Sequence, residues 1–262
     1  MSLWRPLRAV PLGIGAALVV AVCETVWFRR RGSTPVPGPY DLDGLVGTDE
    51  GLAPLSWVWL GDSLSAGVGA ASPSEAFPTQ TARLVASQAR REIYLRCLAR
   101  PGAGSADVLS DQVPAAIKLL APGATVIVAV GFNDALRGVR LKMFRANYRS
   151  ILDALRETGA TVVAVGVPDM GAMMAVMAQP LRFVVGRYAR YLDRGVRDVA
   201  SESGVLYVAI AGGVSSSEWR GPGARSLLSE DRWHPSSDGY RVWANIVATQ
   251  LSTRDEVVAP HS

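Results

Sequence analysis

The stretch WVWLGDSLSAGVGA, residues 57–70, decides how the rest of the chain is read. Bulky strand-forming residues run up to Gly61-Asp62-Ser63-Leu64, and small residues follow. Either a turn needed glycines there, or a strand ends so that Ser63 can do chemistry. Asp62 and Ser63 could also simply cap the next turn. The choice depends on what the other strand ends carry.

Outward from this stretch, strand and helix patterns alternate. SWVWL (56–60), EIYLRCLA (92–99), TVIVAV (125–130), TVVAVGV (161–167) and VLYVAIA (205–211) read as short strands, TVIVAV being rich in β-branched residues. Between them lie segments with helical spacing. In SADVLSDQVPAAIKLL, Pro114 predicts a kink. In residues 180–204, Leu181, Val184, Val185, Tyr188, Leu192, Val196 and Val199 are expected to share one face. SSDGYRVWANIVATQL closes the domain as a helix. Continuously apolar strands alternating with helices predict a parallel sheet covered on both faces. The expected fold class is α/β: a three-layer α/β/α, flavodoxin-like open parallel sheet of about five strands. Such sheets bind ligands beyond the carboxyl ends of their strands.

Those loops hold most of the polar and glycine-rich residues. After the first strand comes Gly61-Asp62-Ser63; after the second, ARPGAGSAD with Gly102 and Gly104; after the third, Gly131-Phe132-Asn133-Asp134; after the fifth, beyond a long loop, DRWHP. Of the two histidines, His261 is penultimate, which leaves His234 for the domain. Asp231, three residues earlier, could fix its tautomer and support an imidazolium. A serine hydroxyl needs such a base, and donors for the oxyanion it generates. The pattern is neither the Gly-x-Ser-x-Gly elbow nor a P-loop.

Taken together, these blocks resemble the GDSL, or SGNH, hydrolase family of esterases and lipases. GDSLSAGVG is similar to its first block, GAGSADV to its second, GFND to its third and DRWHP to its last, in the family's order across residues 56–250. The resemblance implies the SGNH hydrolase fold and a carboxylesterase or lysophospholipase-like activity without metal or organic cofactor. It implies Ser63 as nucleophile, His234 as base and Asp231 as its orienting acid. The oxyanion donors would be Ser63, Gly102 and Asn133. ARP stands where family members often have asparagine before the glycine, so Gly104 is the alternative to Gly102. An O-acyltransferase with the same residues, or a non-catalytic glycan-binding domain, are the competing readings.

Met170, Met173, Met174 and Met177 follow the fourth strand at i, i+3, i+4 and i+7. If helical, they share a face that either packs on the core or forms a flexible substrate-binding wall for acyl chains.

The chain has 262 residues, 49% hydrophobic and 19% charged, enough for one domain with a full core. Its net charge of +4 is concentrated at the N-terminus: Arg5, Arg8, Arg29, Arg30 and Arg31 against Glu24 leave the remainder neutral. A basic block suited to nucleic acid is missing from that remainder, so nucleic acid is not an expected partner. Cys23 and Cys97 form no disulfide framework, and two histidines with two cysteines do not make a convincing zinc site. Residues 9–28 are mostly apolar between arginines, which suggests a retained membrane anchor or a cleaved signal segment. The charges do not fix the membrane side. The expected organisation is an N-terminal segment (1–31), a Pro/Gly-rich linker (32–50), a hydrolase domain (51–254) and a tail (255–262).

Overall fold

The five apolar runs form one twisted array in the computed structural model, which describes residues 34–48, 51–174, 177, 179–211, 226–254 and 257. They are β2 (Leu55–Gly61), β3 (Ile93–Cys97), β4 (Thr125–Ala129), β5 (Thr161–Val165) and β6 (Leu206–Val208). All pair in parallel, in the order β3-β2-β4-β5-β6. That is the flavodoxin-like order, with β2 and β4 meeting where the winding reverses.

One expectation needs correction. The sheet has six strands and is mixed, because β1 (Gly44–Val46) pairs antiparallel with β3. This strand lies within the stretch read as linker. Leu42 is buried in the core, and the Tyr40 hydroxyl donates to the Ala70 carbonyl at 2.9 Å. The chain is therefore bound to the domain well before residue 51. Residues 1–31, with Cys23 and the apolar run, lie outside the described residues, as does His261. Among the described residues, no helix is long and apolar enough to cross a membrane.

Helices cover both faces. On one, α1 (Phe77–Ala89) packs against the closing helix, here α8 (Ser237–Leu251). Trp59 of β2 meets Phe77 edge-on at 5.1 Å, and Phe77 contacts Tyr240 and Trp243 of α8. Burying such rings supplies much of the core's hydrophobic stabilisation, about 25 cal/mol per Å2 of apolar surface. The Tyr240 hydroxyl donates to the Val68 carbonyl at 2.6 Å and so fastens α8 to the loop after Ser63.

Between β3 and β4 run α2 (Ser105–Asp107), a π-helical turn (Val108–Gln112) and α3 (Val113–Ile117). The irregularity precedes Pro114, which sits at the start of α3, where its missing N–H costs little. After β4 come α4 (Phe132–Arg137) and α5 (Leu141–Arg156). After β5 come α6 (Met170–Met173) and α7 (Leu181–Glu202). Val185, Leu192, Val196 and Val199 of α7 are buried as expected, but Val184 is 56% exposed and lies off that face.

Candidate active site

The loops after β2, β3 and β4 and the segment before α8 meet at the carboxyl edge of the sheet. β2 ends at Gly61, where no side chain fits. A Cβ there would lie 2.3 Å from the Ala129 carbonyl oxygen and 2.5 Å from Ser65 Oγ. The close packing of β2 on β4 fixes where the chain turns and where Ser63 stands. Gln112, delivered by the π-helical turn, holds Gly61 from the other side. Its Nε2 donates to the Gly61 carbonyl and its Oε1 accepts the Gly61 N–H, both at 2.8 Å.

Ser63 Oγ lies 3.1 Å from His234 Nε2, and His234 Nδ1 lies 2.6 Å from Asp231 Oδ2. The local fold explains this relay. Arg232 adopts a left-handed conformation (φ 54), which turns the chain so that Asp231 sits beneath its own loop. Asp231 Oδ1 accepts the N–H groups of Trp233 (2.8 Å) and His234 (3.0 Å) and faces the Ser229 hydroxyl at 2.7 Å. Burial by itself would raise the Asp231 carboxyl. The bonds from the His234 ring, Ser229 and those two amides outweigh it and bring the pKa down to about 2. Asp231 is thus a carboxylate that can hold one ring nitrogen of His234 while the other faces the serine.

Beside Ser63, the oxyanion candidates lie in the loop after β3 and in the first turn of α4. Asn133 Nδ2 donates to the Ala103 carbonyl at 3.0 Å, which leaves its second amide hydrogen for another acceptor. Asp134 accepts from the Ser105 hydroxyl (2.7 Å) and amide (2.9 Å). Arg137 Nη2 donates to the Gly102 carbonyl at 2.6 Å and lies near Asp107. The sequence reading missed Asp107, Ser105 and Arg137. Their spacing relative to α4 has meaning only once the two loops are known to touch.

The structure also separates Gly102 from Gly104. The Gly104 N–H donates to Asp107 Oδ2 at 2.8 Å. The N–H groups of Gly102 and Ser63 have no acceptor among the described residues. Gly102 has φ 81, a backbone conformation glycine adopts freely, and its missing side chain leaves open space on its outer side.

Asp62, next to Ser63, is wholly buried. Burial is the main cause that pushes its pKa up to about 7, with the negative charge of Asp134 adding to it and the Leu64 N–H, 3.0 Å away, opposing it. Across the rim, the Phe132 ring meets Trp233 edge-on at 5.9 Å, bridging the loops that bear Asn133 and His234.

The methionines are placed elsewhere. Met170, Met173, Met174 and Met177 all belong to the buried core. The helix that would align them is only Met170–Met173, so Met177 lies beyond it. A small cavity beside the Ser63 loop is lined by Asp62, Leu64, Phe132, Val167 and Trp243, among others, and by none of the four.

Comparison with known proteins bears on the family and the fold. A curated relative, the GDSL-like esterase Rv1075c of Mycobacterium tuberculosis, is 31% identical over 197 residues, which is 73% of this chain. The chain spans about 60% of that relative's length. The crystal structure of TesA superposes with a TM-score of 0.59 at 21% identity, covering 76% of this chain and 98% of that one. The psychrotrophic esterase EstA from Pseudoalteromonas sp. gives 0.58 at 17% identity, covering 76% and 97%. At these identities the two structures establish a shared fold. Residues 59–242 match the GDSL-like lipase/acylhydrolase family, and the chain belongs to that family.

Proposed function

We propose that this protein hydrolyses carboxylic esters through Ser63, His234 and Asp231. The observation that carries the reading is His234, whose two ring nitrogens face Ser63 Oγ and Asp231 Oδ2 at 3.1 and 2.6 Å. His234 Nε2 takes the Ser63 proton as Oγ attacks the ester carbonyl. Asp231 keeps the other ring proton on Nδ1 and stabilises the imidazolium. The carbonyl oxygen, now negative, is held by the N–H groups of Ser63 and Gly102 and by the free amide hydrogen of Asn133. His234 then protonates the leaving alcohol, and water activated by the same ring releases the acid from Ser63. Asn133 and Arg137 of α4 bond the loop after β3, and Gln112 holds Gly61 beside Ser63, so these donors are set in place before the step.

The test is a fluorophosphonate probe followed by peptide mapping, with p-nitrophenyl ester turnover measured in parallel. Ser63 should carry the label, and Ser63→Ala should lower turnover by about four to six orders of magnitude while the protein stays folded. Label on another serine, or activity retained in Ser63→Ala, refutes the assignment. Attachment to a membrane through residues 9–28 is part of the same reading, supported by their apolar composition and flanking arginines. Fractionation with N-terminal sequencing tests it: full-length protein in the membrane fraction supports an anchor, and soluble protein beginning after residue 23 refutes it.

A further inference from the structure

The first half of α7 carries a surface that the catalytic residues do not explain. Asp193 Oδ1 accepts the N–H of Val167, just past the end of β5, at 3.0 Å. Residues 181–192, about 18 Å of helix at 1.5 Å per residue, therefore stand beyond the sheet's carboxyl edge. That is the edge where Ser63 and His234 lie. Phe183, Val184 and Tyr191 are 58%, 56% and 47% exposed there. At 100° per residue they fall within one arc of roughly 120° together with Arg187, Arg190 and Arg194, all exposed.

The charges on this arc are one-sided. No acidic residue occurs from Met170 to Leu192, and Arg182 sits in the first turn of α7, where the helix dipole favours acids. Arg190 pairs with Asp169 and Arg194 stacks over Tyr191, but Arg187 makes no ion pair among the described residues. The acids of the helix gather at the far end, where Asp198 and Glu202 pair with Arg145 and Arg149. Exposed apolar rings and aliphatic groups interleaved with arginines form a surface for the headgroup boundary of an anionic bilayer.

An independent observation points to the same edge. The Pro37 carbonyl accepts the Gly69 N–H at 2.9 Å, and the Cβ position of Gly69 is 2.9 Å from His234 Cβ. The polypeptide that follows the apolar run 9–28 thus joins the domain beside the catalytic histidine.

We propose that the Phe183, Val184, Arg187 and Tyr191 face of α7 rests on an anionic lipid bilayer and presents Ser63 to it, so that the natural ester is a membrane-borne amphiphile. The substrate class rests on the esterase reading above; the docking face does not. The full-length chain carrying Cys23→Ser, Cys97→Ser and Val184→Cys would be labelled with an environment-sensitive dye, the half-buried Cys97 being removed so that only the new thiol reacts. Addition of vesicles containing phosphatidylglycerol should shift the emission to the blue, and pure phosphatidylcholine vesicles or high salt should reduce the shift. No shift with anionic vesicles overturns the docking face. A blue shift already present without lipid, lost on dilution, assigns the face to a second copy of the chain and also overturns it. In wild-type background, Arg187→Glu should lower hydrolysis of a lipid ester in anionic vesicles about tenfold and leave soluble p-nitrophenyl acetate turnover unchanged. Equal rates on both substrates reject the membrane-borne substrate. A wild-type protein that binds vesicles but hydrolyses neither ester would mean that the esterase reading, and not the docking face, has failed.

Discussion

Arg137 donates from Nη2 to the Gly102 carbonyl at 2.6 Å, and through that contact one exposed side chain of α4 holds the residue whose N–H is the candidate oxyanion donor. The Arg137 side chain is about half exposed, so its loss should cost little stability. Arg137→Ala is expected to lower kcat by about 10- to 100-fold with KM nearly unchanged, since a small displacement of an oxyanion donor weakens the transition state selectively. Arg137→Lys should recover part of the loss. A change confined to KM would show that Arg137 touches substrate instead.

Asp231→Asn keeps the shape of the loop but removes the charge that fixes the His234 ring. Turnover should fall by about 10,000-fold at neutral pH, with the thermal midpoint only modestly lowered. Steady-state kinetics beside a melting curve would check both halves. Because the folded Asp231 pKa is depressed to about 2, its ionised form stabilises the fold fully above pH 4, and that contribution disappears as pH falls from 4 toward 2. Asp231→Asn should show a shallower loss of stability across that acid window than the wild type.

Asp62 has the opposite sign. Its folded pKa of about 7 lies above its unfolded value, so the native state binds more protons between pH 4 and 7, and stability falls as pH rises through that window. Asp62→Asn can still accept the Leu64 N–H. Urea midpoints from pH 4 to 7 should therefore decline less in the variant. An unchanged slope would contradict a neutral Asp62 in the folded protein.

Met173 is 1% exposed in the core. Met173→Ala should cost about 2–5 kcal/mol by denaturant titration, with the preference among ester chain lengths unaltered. A variant of wild-type stability with a shifted chain-length preference would return the methionines to the substrate wall.

The main outline was readable in the sequence because it rests on strong periodic signals. Runs such as Thr125–Ala129 are long enough to be strands buried on both faces, and the loops that follow them are where a doubly wound sheet carries ligands. Features of short range or without a period were not readable. Gly44–Val46 is three residues between proline- and glycine-rich stretches, and only its pairing with β3 makes it a strand. Val184 looked like part of the buried stripe because its neighbours are apolar. Its exposure is settled by how far α7 projects past the sheet. The methionine spacing suggested a helical face, but the helix ends after one turn. Arg137, Asp107 and Ser105 carry no signal of their own in the sequence, because their contacts arise only where the loop after β3 meets α4.

The Gln112 side chain makes toward Gly61 the two bonds that a neighbouring strand's peptide would make. Past the last paired residue of β3, Cys97 opposite Trp59, the chain still donates from the Leu98 N–H to the Trp59 carbonyl and from the Arg100 N–H to the Gly61 carbonyl, and Gln112 supplies the acceptor for the Gly61 N–H. A single amide borrowed from a π-helical turn thus completes the last rung of the ladder beside Ser63. The position of Ser63 is thereby tied to a helix turn that is itself irregular, so on warming the Ser63 loop should loosen with that turn before the sheet below it opens.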